Sequence, residues 1–264
     1  MNSEELAKSG KLSEAVSELY AEIRRNPADK KLRIFLFQLN CLLGQFEKAL
    51  IQLQVIASLD SETMMMAQIF RPVIACEMLR LDIFNGKRAP LLFGEPAEWV
   101  GLLVQANSLI AAGHFDSAAE LRERAFELAP ANPGTLNGEP FDWLVDADSR
   151  MGPLLEVILE GKYYWVPFSR ILKIEMEKPS DLRDLVWVPA RFTWTNGGAV
   201  SGHIPARYPG TEGVNDDALR LARFTTWREV ASGSFLGLGQ RVMATNQGEY
   251  PLLECRSLEF LGPG

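Results

Sequence analysis

Histidine is scarce in this 264-residue chain, with two copies, His114 and His203, and cysteine hardly less so, with Cys41, Cys76 and Cys255 far apart and odd in number. That excludes a disulfide framework, a CxxC metal site, an HExxH helix and any His cluster for zinc. Buried free thiols in a reducing compartment are the expectation. No apolar run reaches the roughly 18 residues of a membrane span, since 32–43 is broken by Gln38 and Asn40. The first ten residues lack the basic start and apolar stretch of a secretory signal, so a cytoplasmic chain is expected. Positive charge is in deficit too. Lysine and arginine number 27 against 34 acids, both halves are mildly acidic, and no field favours a phosphate backbone, which argues against nucleic acid as a partner.

What is present begins with a repeat. Gly10-Lys-Leu-Ser-Glu-Ala15 returns as Gly44-Gln-Phe-Glu-Lys-Ala49 and Gly113-His-Phe-Asp-Ser-Ala118. Gly10 to Gly44 is 34 residues and Gly44 to Gly113 is 69, close to two further periods, which is tetratricopeptide spacing. The glycine permits a tight turn, the following Leu or Phe anchors it, and the alanine lets antiparallel helices approach. Pro27 and Pro130 stand where second helices should end, while the corresponding Ser61 lacks that stop. Leu12, Ala15, Val16, Leu19, Tyr20 and Ile23 share one helical face, as do Phe46, Ala49, Leu50, Leu53 and Ile56. The missing repeat falls in 62–109, where a long helix over about 62–84 meets an irregular stretch at 85–96, and a distorted pair is expected.

After Pro130 the helical period is lost and Pro/Gly punctuation sets in, which divides the chain into a helical-repeat domain, 1–135, and a strand-rich domain, 136–264. Strands are expected at 154–159, 163–168, 171–176, 186–195, 242–245 and 252–260. Leu172, Ile174 and Met176 should share a face, as should Val188, Ala190, Phe192 and Trp194, and Asn196-Gly197-Gly198 reads as a hairpin turn. Five of the six tryptophans lie here, as filling for an antiparallel sheet or small barrel, with a short helix near 216–223. The fold class is therefore α+β.

Candidate chemistry is sparse. His114 sits in a repeat turn and reads as structural. His203 would need a nucleophile beside it to act as a base, and no GxSxG elbow accompanies it. Gly237-Leu-Gly239 is an incomplete dinucleotide fingerprint without a βαβ context. More informative is Phe141-Asp-Trp143-Leu-Val-Asp146-Ala-Asp148-Ser-Arg150, three acids and an arginine at the junction of the two parts. It admits a divalent cation site, an anion-recognising arginine, or a salt-bridged joint; the joint is favoured because a hard cation wants about six oxygens. The segment Asp181–Trp187 reads as structural, with Arg183 paired locally. The polar loop 207–217 should be exposed and suited to recognition.

Trp143-Leu-Val-Asp-Ala-Asp-Ser-Arg-Met-Gly-Pro153, Gly161-Lys-Tyr-Tyr-Trp-Val-Pro-Phe168, Asp181-Leu-Arg-Asp-Leu-Val-Trp187 and Ile204-Pro-Ala-Arg-Tyr-Pro-Gly210 together resemble the TagJ/ImpE (SciE) family, over nearly the whole chain. The resemblance implies a type VI secretion accessory protein without enzymatic activity or cofactor. It also implies a partner in the small sheath subunit, TssB, and through it the ClpV unfoldase. It carries no motif for partner contact, so Trp143, Asp146, Asp148, Arg150, Arg207 and Tyr208 are named as partner-binding candidates from this sequence. The favoured function is an adaptor whose groove takes a short amphipathic helix. The alternative is a hydrolytic or small-ligand pocket formed by His203, Arg207 and the Asp146/Asp148/Arg150 cluster, and a third is self-association.

Overall fold

Each repeat glycine sits at a helical turn with positive φ, 82° at Gly10, 66° at Gly44 and 81° at Gly113, which an L side chain adopts only under strain. A computed structural model describes residues 1–262. The turns join α1 (Ser3–Lys8) to α2 (Leu12–Arg25), α3 (Lys30–Leu42) to α4 (Phe46–Ile56), and α6 (Glu98–Ala111) to α7 (Phe115–Leu128). The helices end short of Pro27 and Pro130, as the prolines dictate. Between them runs α5 (Ser61–Phe84), started by a capping box of Asp60 and Thr63. It passes straight through the place where the period would put a turn. Its connection to α6 contains β1 (Leu91–Leu92), which pairs in parallel with the sheet, so the expected distorted pair is a long helix laid on strands and followed by a separate helix.

The strand-rich part comprises β2 (Gly134–Leu136), β3 (Glu139–Phe141), β4 (Leu144–Asp146), β5 (Leu154–Leu159), β6 (Lys162–Pro167), β7 (Ile171–Met176), β8 (Trp187–Trp194) and β9 (Ala199–Pro205). After the four-residue α8 (Asp217–Arg220) follow β10 (Thr225–Ala231), β11 (Ser234–Gly239), β12 (Val242–Thr245), β13 (Gly248–Pro251) and β14 (Ser257–Phe260). The main sheet has the order β1-β6-β5-β9-β8-β7-β14-β2-β3, antiparallel apart from β1, and it is open rather than a closed barrel. Small sheets β13-β12-β4 and β10-β11 complete it.

Strand β5, Leu-Leu-Glu-Val-Ile-Leu, is buried throughout because both its faces are covered. Leu154 and Ile158 join the helical core with Tyr163, Trp165 and Trp187, while Leu155, Val157 and Leu159 join a second core with Val188, Phe192, Met243 and Leu258. The helices and one sheet face thus share a core.

Three expectations are corrected. A bulge between Ile171 and Lys173 turns Ile171 inward and leaves Leu172 exposed, so Ile171, Ile174 and Met176 share the buried side. The segment 252–260 is a single 3-10 turn, Leu252–Glu254, followed by β14, because Asn137 takes the backbone N–H of Arg256 and Ser257. The loop 207–217 is largely internal: Arg207, Tyr208 and Thr211 are buried. Val188, Ala190, Phe192 and Trp194 do share a buried face, and Gly197 makes the β8–β9 turn.

That internal loop explains two of the three repeat turns. Arg207 donates to the Leu42 carbonyl at 2.9 Å, serving the end of a helix that has no basic residue in its own last turn. Asp217 accepts the Leu12 N–H at 2.8 Å, where α2 has no side-chain cap of its own. A methyl group on Gly44 would lie 2.6 Å from Cβ of Glu212, whereas one on Gly113 meets nothing within 4 Å. Gly44→Ala is therefore expected to destabilise the chain by about 2–4 kcal/mol and Gly113→Ala by about 1–2 kcal/mol, the latter for backbone strain alone. Equal losses in urea denaturation would refute the docking of Gly44 on the loop.

Candidate functional site

A charged residue inside an apolar run has to find a partner or lose its charge, and the chain places several such residues together. Glu77 and Arg80 lie on the sheet-facing side of α5, Glu156 is the only polar residue of β5, and Arg241 precedes β12; all four are buried. Arg80 donates to Glu77 at 2.8 Å, through Nη2 to Glu156 at 3.0 Å, and to the Arg207 carbonyl at 2.8 Å. Arg241 bridges Glu156 and Asp146 and donates to the Pro205 carbonyl at 2.9 Å. Trp187 Nε1 donates to Glu77 at 2.9 Å, and Tyr163, itself accepting from Trp165, donates to Glu156.

The network continues through the sequence-predicted residues. Tyr208 donates to Asp146 at 3.0 Å; Asp148 accepts from Arg150 Nε at 2.8 Å and from the Gly237 N–H at 2.7 Å. Arg150 also lies over the Phe84 ring of α5, 5.1 Å from its centre. Asp146, Asp148, Arg150, Arg207 and Tyr208 are all buried, at most 9% exposed, and their polar groups are engaged internally, whereas Trp143 is 41% exposed. Three arginines, Arg80, Arg150 and Arg241, pair with the four acids Glu77, Asp146, Asp148 and Glu156, while Arg207 donates to backbone carbonyls. The ion pair that joins α5 to the strands is Arg80–Glu156; the Asp146 and Asp148 carboxylates are occupied by the guanidinium groups of Arg241 and Arg150, within the strand-rich part. Among the described residues no group of three His, Cys, Asp or Glu side chains is placed to hold a metal ion.

Glu77, Arg80, Glu156 and Arg241 were missed by motif reasoning, since none belongs to a motif. The available signal was charge interrupting apolar sequence. Burial alone would raise the Glu156 carboxyl, but Arg80 and Arg241 outweigh it and hold it down to about 2. Burial pushes the Asp146 carboxyl up to about 6 against the pull of Arg241. Burial and the carboxylates of Glu156 and Asp146 keep the Tyr163 and Tyr208 phenols protonated far above the usual range.

His203 is elsewhere. It lines an open groove of about 900 Å³ between α5 and the exposed floor of β7–β9, with Ile69, Phe70, Pro72, Pro189 and Arg191. Its ring is 5.8 Å from that of Phe70, and burial lowers its pKa below the usual imidazole range. Arg207, Asp146, Asp148 and Arg150 do not line this groove, so the pocket that a hydrolytic reading requires is not assembled. His114 precedes α7 at the exposed third turn. Asp181 and Arg183 pair with each other, Asp184 accepts from Ser180, and Arg183 covers Phe70 at 4.7 Å.

A family model described as ImpE protein matches residues 138–259. The type VI secretion system accessory component TagJ of Pseudomonas aeruginosa is 46% identical over 260 residues, which cover 98% of this chain and 91% of that protein. A crystal structure of a Vibrio parahaemolyticus protein is similar with a TM-score of 0.90 at 27% identity, covering 99% of this chain and 98% of that one.

Replacing Glu156 by Gln strands two guanidinium groups in the core, and a loss of about 3–5 kcal/mol is expected. The sign with pH follows from the lowered carboxyl. The unfolded chain takes up this proton near 4.5 and the folded chain near 2, so the stabilisation is complete above 4.5 and lost as pH falls towards 2. The stability gap between wild type and Glu156→Gln should narrow across that window in urea titrations. A gap constant with pH would mean that Glu156 is not ionised in the fold.

Proposed function

Since the chain belongs to the TagJ/ImpE family of type VI secretion accessory proteins, we propose that it is a non-enzymatic adaptor that binds the small sheath subunit, a TssB-like protein, through a short helix of that subunit. In this role it modulates sheath assembly or the recycling of sheath by ClpV. It works in the cytoplasm, where sheath is built; among the described residues no helix is long and apolar enough to cross a membrane.

The observation that carries this reading is the division of labour between buried charge and open groove. Charged groups of the kind that do catalysis are spent on one another inside the joint, at zero to nine per cent exposure. The accessible concavity is instead lined by Ile69, Phe70, Pro72, Val73 and Pro189 with scattered polar groups, the composition of a surface that takes an apolar face. Of the six partner-binding candidates, Trp143 is the one that a partner can reach directly; Arg207 and Arg150 instead hold the strand-rich part to the helices, through the Leu42 carbonyl and the Phe84 ring, and Asp146, Asp148 and Tyr208 brace the strand-rich part internally. An amphipathic helix held in such a groove gives roughly micromolar affinity, about 8 kcal/mol, suited to reversible escort.

Co-purification of the chain with the small sheath subunit of the same organism tests this, alongside a subunit lacking its N-terminal helix. Retention of the intact subunit and loss of the truncated one is the expected result. Retention of both would remove the helix from the mechanism, and retention of neither would overturn the adaptor role.

A further inference from the structure

A free strand edge presents unpaired N–H and C=O groups to any strand that can reach it, and the three sheets protect their edges unequally. The main sheet ends at β1, two residues long directly after Pro90, and at β3, three residues long with Pro140 inside. The three-stranded sheet ends at β4, three residues, and at β13, four residues closed by Pro251. In the two-stranded ribbon the outer edge of β11 is filled. Phe235 accepts the Ser149 N–H at 3.0 Å and donates to the Ser149 hydroxyl at 2.9 Å. The Gly237 N–H donates to Asp148 and its carbonyl accepts from Arg150, while the Gly239 N–H donates to Thr211 and its carbonyl accepts the Tyr208 N–H. Strand β10 is the exception, with seven residues and neither proline nor lysine among them.

The ladder determines which groups β10 turns outward. The Gln240 N–H donates to the Phe224 carbonyl at 3.0 Å, around the pair Thr225–Gly239, so those two residues exchange no bonds with each other. Alternation makes Trp227–Gly237 and Glu229–Phe235 pairs of the same kind. Thr225, Trp227 and Glu229 therefore direct their backbone N–H and C=O groups away from β11, and among the described residues nothing bonds to those groups. The bulge of the ribbon falls beyond Glu229, so 225–229 is regular strand. Thr226, Trp227, Arg228 and Glu229 are exposed, and α7 meets the ribbon at its tip, where Arg122 donates to Ser234 and Gly233. Phe224, Trp227 and Phe235, 36–42% exposed, add apolar surface beside the edge.

The side chains of β10 select its occupant. Two copies of the strand related by a two-fold axis run antiparallel, and each register sets one residue opposite itself. Centring on Arg228 opposes two guanidinium groups, centring on Glu229 opposes two carboxylates, and centring on Thr226 leaves Glu229 beyond the end of the other strand. Centring on Trp227 opposes two indoles, sets Thr226 against Arg228 and Thr225 against Glu229, and brings all three outward residues into hydrogen-bonded pairs with no like charges opposed. Tyr208, whose ring lies 5.4 Å from that of Trp227, backs the indole. We infer that β10 is the docking edge for a second copy of this chain, the two ribbons forming one four-stranded sheet, β11-β10-β10-β11, about a two-fold axis at Trp227. Such a pair carries two grooves, and a partner presented in repeated copies would be held more tightly by both than by one. That consequence rests on the adaptor reading; the pairing itself does not.

Sedimentation equilibrium of the full chain over a concentration series is the test, with thermal melts to verify that each variant keeps its fold. Wild type should show a reversible monomer–dimer equilibrium. The register makes the exposed Thr226 a probe of sign, because it lies opposite Arg228 of the second copy twice over. Thr226→Lys should weaken the dimer about tenfold and Thr226→Glu should strengthen it by a similar factor, both effects shrinking as salt rises. Trp227→Lys, which opposes two cations at the axis, should leave monomer. A chain that stays monomeric up to its solubility limit overturns the inference. A dimer that ignores both Thr226 substitutions, or moves the same way with both, overturns it equally, since the contact then lies elsewhere.

Discussion

Everything in this architecture is positioned by one buried carboxylate. Glu156 sits in the middle of a strand with both faces covered, and it is reached from the helical side by Arg80 and from the strand side by Arg241. An isolated carboxylate there would be neutralised by desolvation; with two guanidinium groups and the Tyr163 hydroxyl on it, it stays ionised. Each arginine extends the constraint, Arg80 to Glu77 and the Arg207 carbonyl, Arg241 to Asp146 and through it to Tyr208. Apolar packing of Trp165, Trp187 and Phe84 supplies the bulk of the burial, but it is tolerant of small rotations. Directional bonds to Glu156 are not, and they fix the angle at which α5 crosses the strands.

Much of the fold was legible in the sequence because its signals are local. Glycine at a forced positive φ, alanine at a close helix crossing and proline past a helix end mark the repeat turns at Gly10, Gly44 and Gly113 without reference to anything distant. The same holds for Asn196-Gly197 and for the alternation of Val188, Ala190, Phe192 and Trp194. Where an element depends on remote partners, local reading fails. The bulge at Ile171 is set by pairing with β8, and the largely exposed strand β10 has no clean alternation to betray it. The loop 207–217 has the polar, glycine-punctuated composition of a surface segment, yet its polar groups are consumed by helix ends far away in sequence, at Leu12 and Leu42.

The candidate site divides in the same way. The density of acids around Asp146 and Asp148 was visible, and both are ion-paired, although with Arg241 and Arg150 of the same strand-rich part rather than across to the helices. Glu77, Arg80, Glu156 and Arg241 were not singled out, although each interrupts or borders an apolar stretch, and that is a signal independent of any motif. The groove had no signature at all. Its floor is made from β7, β8 and β9 and its wall from a helix about a hundred residues earlier, so it exists only once the joint has closed.

The joint and the groove are linked through α5 itself. Val73, Glu77, Arg80 and Phe84 form the stripe that faces the strands, and Ile69 and Pro72 stand on the neighbouring stripe that walls the groove. A helix is stiff over such a length, so the bonds that orient the first stripe orient the second. Loosening the Glu156 bonds would therefore change the width of the groove before it exposed any new surface. This gives the buried ions a role that equivalent apolar residues would fill poorly. Leucines at Glu77, Arg80 and Glu156 could bury comparable area, yet they would leave α5 free to roll by a fraction of a residue, enough to change the alignment of the groove wall with its floor.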